Sequence, residues 1–370
     1  MNFGLEIYFT LIISIFWILI LQWIFRKKTT TTYLNLQQTK ISILLAARNE
    51  EATIKRCLQS LNNLQFPSEN IEILIGNDAS SDGTEAIVRN YISDKPKFRL
   101  LNITSQIGIA KGKANVLAQL AQEAKGDYLF ITDADIEVQP DWLNAMLANV
   151  TPETGIVTGY THIDGENLLA KLQALDWTFA QAVMKIFFDT DKPLSAMGNN
   201  MMVTKDAYLK TGGYENIPFS LTEDFALFEK VYQLHYECIQ VVDDKVKAFA
   251  LPMKNIPAII SQRKRWTLGV RHKMPWYLSF LLMIQMLFFP VACYLSFVSL
   301  IYTLVAVLIK WTIQSLFLLM VMKTVKEKTT FIALFLFDFY SFFIGITTTI
   351  SILKSKNVVW KDRNYFSKNE

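Results

Sequence analysis

The chain has three cysteines in 370 residues, Cys57, Cys238 and Cys293, standing singly at spacings that suit neither a disulfide framework nor a metal site. They read as small buried apolar residues. No excess of one charge dominates either: 37 Lys and Arg against 33 Asp and Glu leave a formal +4. The basic residues gather beside apolar segments, so anionic lipid headgroups are the expected partner and nucleic acid is not. Charge is missing altogether from residues 7–25, and over residues 276–322 Lys310 is its only bearer. At 51% hydrophobic residues the chain is too apolar for an ordinary soluble protein, and 370 residues leave room for a folded domain plus something else.

The apolar excess lies at the two ends. Residues 7–25 are long enough to span a bilayer, and the basic Arg26-Lys27-Lys28 that follows places that flank in the cytoplasm. A cleavable signal peptide would carry its basic residues ahead of the apolar run, where the only charge is Glu6, so residues 1–28 read as an anchor with its amino end outside. Residues 276–322 suit a hairpin of two spans, and a third follows over 331–353, interrupted by Asp338; residues 275–353 thus read as about three carboxyl-terminal spans. Lys323, Lys326 and Lys328 fit a cytoplasmic loop between the last two. Three such spans would carry the basic tail, residues 354–370, outside. Either one segment is re-entrant or interfacial, or the tail breaks the positive-inside tendency; a cytoplasmic tail is the preferred reading.

Residues 40–255 alternate short apolar strands with amphipathic helices, which predicts an α/β domain with a parallel or mixed sheet. The organising stretch is Tyr128-Leu-Phe-Ile-Thr-Asp133-Ala-Asp135. So short an apolar run ending in two carboxylates reads as a buried strand that delivers them at its carboxyl edge, where open α/β sheets bind ligands. Residues i and i+2 of an extended segment point the same way, so Asp133 and Asp135 can face one divalent cation or a pyrophosphate–metal complex. The plainer alternative is an Asx turn capping the helix introduced by Pro140 and Asp141.

Other strand ends carry further candidates. Residues 41–46 end in Ala47-Arg48-Asn49-Glu50. Residues 71–75 run into a polar loop, where Asp78 can accept hydrogen bonds from a nucleobase N–H; Ser80, Ser81 and Asp82 read as ordinary capping groups. Lys111 and Lys113 flank Gly112 at a helix start and can meet phosphates, although a solvated helix end explains Lys111 as well. The helix over residues 166–188 either covers the sheet or walls an acceptor groove. Asn199 and Asn200 can bind sugar or headgroup hydroxyls, or satisfy their own turn.

Ser220 followed by Glu223 fits a capping box, which accounts for Glu223 without chemistry and leaves Asp224 over. A carboxylate in a first helical turn gains from the dipole, stays ionised and can act as a base. After Pro257, residues 256–274 read as an amphipathic helix at the bilayer surface, with Arg263, Lys264, Arg271 and Lys273 as adhesive residues. Within it, Arg265 beside Trp266 can hold a diphosphate and floor a sugar site.

Taken in order, Ala47-Arg-Asn-Glu50, Asn77-Asp-Ala-Ser80 with Asp82-Gly-Thr84, Lys113-Ala-Asn115, Asp133-Ala-Asp135, Thr222-Glu-Asp224 and Gln262-Arg-Lys-Arg-Trp266 resemble the motif set of membrane-bound family 2 glycosyltransferases with the GT-A fold. The set spans nearly the whole soluble region, and the flanking anchors resemble those of ceramide glucosyltransferases, carotenoid glycosyltransferases and polysaccharide synthases. Trp360-Lys-Asp-Arg363-Asn-Tyr365 looks like a tail motif of some of these. The resemblance implies a GT-A sheet domain flanked by transmembrane helices, Mg2+ or Mn2+ as cofactor, and single-displacement inversion. By resemblance Asp78 contacts the uracil of a UDP-sugar, Asp133 lies near the ribose and diphosphate, and Asp135 ligates the metal. Asp224 is then the general base, Gln262, Arg265 and Trp266 border the diphosphate and acceptor, and Arg48, Glu50, Lys113 and Glu223 complete the substrate site. Where the family often has two adjacent acids, this chain has Asn77 before Asp78.

The expected activity is sugar transfer from UDP to a lipid acceptor at the cytoplasmic face of the cell membrane, giving a glycolipid. A processive polysaccharide synthase, with a glycan acceptor, ranks lower because a translocating channel usually needs more spans. A catalytically silent nucleotide-binding scaffold is the alternative of another class, and such a scaffold has no need of Asp133, Asp135 and Asp224 together.

Overall fold

A computed structural model describes residues 3–27, 38–270, 275–361 and 363–366. Lys28, Arg271, Lys273 and the end of the basic tail lie outside them. The chain opens with α1 (Phe3–Ile24), then alternates β1 (Ile41–Ala47), α2 (Ile54–Asn62), β2 (Ile71–Asn77), α3 (Thr84–Ile92), β3 (Phe98–Asn102), α4 (Lys113–Glu123) and β4 (Tyr128–Asp133). Shorter elements follow: β5 (Ile136–Val138), α5 (Trp142–Leu147), β6 (Thr154–Thr158) and β7 (Thr161–Ile163). The long α6 (Leu168–Asp189) precedes β8 (Asn200–Thr204), α7 (Lys205–Lys210), α8 (Glu223–Gln233), β9 (Glu237–Gln240), β10 (Ala248–Ala250) and α9 (Ile256–Val270). The carboxyl-terminal part comprises α10 (Trp276–Met286), α11 (Phe288–Val298), α12 (Leu300–Thr324), α13 (Phe331–Lys354) and a hairpin of β11 (Asn357–Trp360) and β12 (Arg363–Phe366).

The main sheet has seven strands in the order β3-β2-β1-β4-β8-β6-β9. β1 runs parallel to β2 and β4, and β8 is antiparallel to both neighbours, which makes the sheet mixed. Strands β1, β2 and β4 are near-continuous apolar runs because both faces are covered, by α2 with α3 on one side and α4 on the other. In α2 the buried face is Ile54, Cys57, Leu58 and Leu61, the helical spacing its sequence predicts. The register aligns Ala47 with Asn77 and Ala46 with Asp133. The segments after β1, β2 and β4 therefore leave from one edge.

Of the cysteines, Cys57 is buried and Cys238 half-buried, but Cys293 is exposed on α11, which corrects the expectation of three buried thiols. Its helix carries Tyr294, Phe297 and Val298 outward as well, an apolar face suited to lipid. Helices α1, α12 and α13 are long and apolar enough to cross a membrane, and α10 with α11 qualifies as one broken element bent by 42°. The two charges interrupting the carboxyl-terminal apolar runs meet each other. Buried Lys310 of α12 pairs with Asp338 of α13, and Gln314 accepts from the ammonium at 2.7 Å and donates to the carboxylate at 2.6 Å. Burial of this kind is tolerated only with partners. Removing one leaves the other stranded, so Asp338→Leu is expected to cost about 3–5 kcal/mol, read as a lower melting temperature in detergent.

Candidate active site

Three strand ends supply the acidic edge. After β1, Arg48 donates from Nη1 to the carbonyl of Asp78 at 2.6 Å and to that of Ala79 at 3.3 Å, tying the first two loops together. Asn49 and Ala79 take left-handed backbone (φ 52° and 49°), so both turns are sharp. Ser80 Oγ accepts from the Asn49 amide and Asp82 from the Glu51 amide, bonds between loops rather than helix caps; Asp82 also accepts from the Thr84 amide at the start of α3, whose N-cap is Gly83 without a side-chain bond. Asn77, where the family often has an acid, is turned away to Glu85 and Asn102.

Lys113, expected at phosphates, bridges two carboxylates: its ammonium lies 2.5 Å from Asp133 Oδ1 and 2.7 Å from Glu223 Oε1. Burial works against its charge, but Asp133 and Glu223 outweigh that and hold its pKa above the ordinary lysine value. The capping box fails. Helix α8 starts at Glu223 itself, with Thr222 as N-cap and no side-chain capping bond, because the Glu223 carboxylate is drawn to Lys113. Burial would raise the Glu223 pKa, yet Lys113 and Arg265 keep it below the usual value.

Asp224 accepts from the Gly198 amide at 2.8 Å and from the Phe225 amide at 2.8 Å. Burial and the adjacent Glu223 charge push its carboxyl up to about 6. Two glycines allow the close approaches involved. A Cβ at Gly198 would lie 2.5 Å from the Cβ of Asp224, and one at Gly269 would lie 2.5 Å from Thr222 Oγ1. Gly269→Ala is therefore expected to push α9 off the start of α8, lowering transfer about tenfold or more with a smaller change in melting temperature.

Helix α9 brings Gln262, Arg265 and Trp266 to the same space. Arg265 Nη1 donates to the Leu221 carbonyl at 3.0 Å, and Trp266 meets Trp177 of α6 edge-on at 5.2 Å. Arg263 is not a membrane-adhesive residue: it pairs with Asp176 of α6, its guanidinium 5.0 Å from the Trp266 ring. Asn200 is likewise no ligand for hydroxyls. Fully buried, it accepts from Trp142 Nε1 and donates to the Tyr160 and Val246 carbonyls, which fastens the turn it enters. Asn199 Oδ1 accepts from Thr161.

All eleven candidate residues, from Arg48 to Trp266, line one cavity of ≈ 690 Å3. Its acidic end is Glu50, Asp78, Asp133 and Asp135; α6, α9 and α10 line the rest, with Met184, Leu194, Val270 and Leu278 among the apolar groups. Burial, with Asp133 and Glu50 nearby, pushes the Asp135 carboxyl up to about 7. Such gathered negative charge suits a divalent cation, although among the described residues no three ligating side chains are already clustered. The tail joins the wall as well: Val358, Val359 and Lys361 line the cavity, and Arg363 chelates Asp78. Only the resemblance of the tail motif marked that segment in the sequence.

Set against known proteins, residues 7–369 match glycosyl transferase family 21, a family-2-like group. A poly-beta-1,6-N-acetyl-D-glucosamine synthase from Staphylococcus epidermidis is 26% identical over 277 residues, 72% of this chain and 65% of that protein. The probable glycosyltransferase YdaM from Bacillus subtilis is 30% identical over 206 residues, 53% of this chain and 47% of that one. The chain thus spans about half to two thirds of the length of these curated relatives. Among solved structures, a mannosyltransferase from Pyrobaculum calidifontis in complex with GDP-Man and Mn2+ covers 87% of this chain and 97% of its own, with a TM-score of 0.58 at 18% identity, a likeness of GT-A fold. With its profile matched over nearly the whole chain, the protein belongs to glycosyl transferase family 21 and is a glycosyltransferase of the GT-A fold.

Proposed function

We propose that this glycosyltransferase moves a sugar from a UDP-sugar to a membrane lipid at the cytoplasmic face, with inversion at the anomeric carbon. The observation that carries this is the lining of the cavity: carboxylates gather at the sheet edge, α9 adds Gln262 and Arg265 beside them, and Met184, Leu194, Val270 and Leu278 give an apolar part away from that edge. Donor and acceptor have opposite chemical needs, and the two ends meet them separately.

Asp78, on the loop after β2, accepts a hydrogen bond from the base. Asp133 is held by Lys113 beside the donor, and Arg265 offers positive charge to the leaving diphosphate. Mg2+ or Mn2+, held by Asp135, would supply further charge stabilisation there. The acceptor O–H gives its proton to Asp224 as its oxygen forms the new bond to the anomeric carbon; the bond from that carbon to the β-phosphate oxygen breaks on the opposite face, its electron pair leaving with UDP. Gln262 and Trp266 border the sugar from α9. The test is UDP release from a panel of UDP-sugars and membrane lipid extract, with mass analysis of the product. A single sugar on a lipid is the expected product; no metal-dependent UDP release with any acceptor would overturn the reading. The kinship to polysaccharide synthases favours a second reading, a processive synthase, and product that lengthens with time would establish it.

The contacts of the loops support one reading of the membrane arrangement. Ahead of α13, Lys326 and Glu327 pair with Asp244 and Lys247 of the catalytic domain; beyond it, Lys361 and Arg363 pair with Glu50 and Asp78. Both ends of α13 therefore lie on the catalytic side. A traversing helix ends on opposite sides, so α13 lies along the interface, its outward stripe of Phe335, Phe339, Phe343, Ile346 and Ile350 against lipid and its inner face on α6 and α9. The broken α10–α11 element and α12 then make one descent and one return, and the tail stays cytoplasmic. A cysteine at Lys356 is expected to react with an impermeant thiol reagent in inside-out vesicles; labelling from the periplasmic or external side alone would refute this.

A further inference from the structure

The reading of a donor nucleotide at the acidic edge leaves a charge problem. A nucleoside diphosphate is strongly anionic, yet the cavity's acidic end gathers Glu50, Asp78, Asp133 and Asp135. Of the basic side chains of the catalytic domain that line the cavity, Arg265, bonded to the Leu221 carbonyl, is the one offered to the diphosphate above, and the other three are engaged. Lys113 is shared between Asp133 and Glu223, Arg263 is paired with Asp176, and Arg48 holds the carbonyls of Asp78 and Ala79.

The carboxyl-terminal hairpin brings two more. Its turn, at Lys361 with φ 48°, lies in the left-handed region and aims both strands' ends at the β1 and β2 loops. Arg363 grips Asp78 bidentately, Nη1 to Oδ2 at 2.6 Å and Nη2 to Oδ1 at 3.0 Å. Arg48 Nε donates to the Lys361 carbonyl at 3.2 Å, so the hairpin is tied to both loops. Lys361 Nζ reaches the Asn49 carbonyl at 3.2 Å and Glu50 Oε1 at 2.7 Å, and its side chain lines the cavity. Val358 is buried beneath it, and β11 packs on α9. The cavity is closed on this side by Lys361 and Arg363, which lie 311 and 285 positions in sequence from the Glu50 and Asp78 they touch.

We propose that the hairpin is a working part of the donor site, with Lys361 a binding residue for the donor diphosphate and Arg363 a positioning residue that fastens the hairpin through Asp78. A lysine at a turn tip, bonded to one carboxylate and one carbonyl, can keep a contact with the wall and turn a third N–H to phosphate. The bidentate guanidinium fixes the hairpin's orientation better than a lysine in its place could.

The proposal rests on the donor-site reading, so the experiment separates the two. In purified full-length protein with Mg2+, UDP and GDP binding is measured alongside uridine and guanosine for wild type, Lys361→Gln, Arg363→Gln and Arg363→Lys. If wild type binds neither diphosphate, the donor-site reading fails and the proposal falls with it. If wild type binds one, Lys361→Gln is expected to weaken that diphosphate about tenfold and leave its nucleoside unchanged. Arg363→Gln is expected to weaken both forms and to speed proteolysis of the tail, with Arg363→Lys restoring little. A diphosphate affinity that is unchanged or tighter in Lys361→Gln, with the melting temperature at wild-type value, overturns the proposal; tighter binding would make the hairpin a plug. Equal loss for diphosphate and nucleoside in Lys361→Gln would also overturn its phosphate role.

Discussion

Asp224→Asn is expected to lower sugar transfer by about 10^3-fold while UDP binding stays within a factor of about two. The replacement is nearly isosteric. Its carbonyl oxygen can keep one of the two amide contacts that hold Asp224, from Gly198 and Phe225, but it cannot take a proton from an acceptor hydroxyl. Among the described residues the carboxylate belongs to no ion pair that its loss would strand: the neighbouring bridge runs through Lys113 to Glu223 and Asp133. The pH profile gives a second readout. Burial and Glu223 raise Asp224 to about 6, and the base works only when ionised. Wild-type kcat/KM should therefore be at its plateau above that pH and fall as pH drops through it; ordinary carboxylates would keep working about two units lower. The Asp224→Asn residual activity should lose that inflection. Transfer at the wild-type rate in Asp224→Asn, with donor and lipid saturating, would remove Asp224 as the base.

What the sequence disclosed and what it concealed divide along physical lines. The strands that deliver Arg48, Asp78 and Asp133 are buried on both faces, so each appears as a short apolar run closed by polar residues, and their common edge follows from parallel pairing. The pairing of Lys113 with Glu223 is hidden in the sequence because local pattern competes with a distant partner. Ser220 and Glu223 have capping-box spacing, but a buried ammonium attracts Glu223 more strongly than a helix-end amide does. The adjacent amides Asn199 and Asn200 look alike in sequence, and only the packing of Trp142 against β8 shows that Asn200 is committed to structure. Helix α13 illustrates a limit of hydropathy. Its length and composition fit a span equally well whether it crosses or lies flat, and the proposal that it lies flat draws on ion pairs at its two ends. The tail hairpin is harder still, since no periodicity in residues 357–366 points to loops near the other end of the chain.

Lys113→Met is expected to be the most damaging single change in the catalytic domain, for stability as well as for activity. The lysine joins strand β4 to the helix α8 that carries Asp224, through Asp133 on one side and Glu223 on the other. All three groups are largely shielded, so removing the cation leaves two carboxylates facing each other without compensation. Breaking a buried pair in this way costs about 3–5 kcal/mol, visible as a lower melting temperature. The same shielding predicts a partial remedy. In Lys113→Met/Glu223→Gln one of the stranded charges is gone, and most of the lost stability should return; a double variant no more stable than Lys113→Met would show that the three groups do not form one unit. Transfer should not return with it. A methionine cannot hold Asp133 in place, and for Asp224 the loss of the Glu223 charge, which raises it, is opposed by the loss of the Lys113 charge, which lowers it. Stability and activity, lost together in the single variant, should therefore separate in the double one.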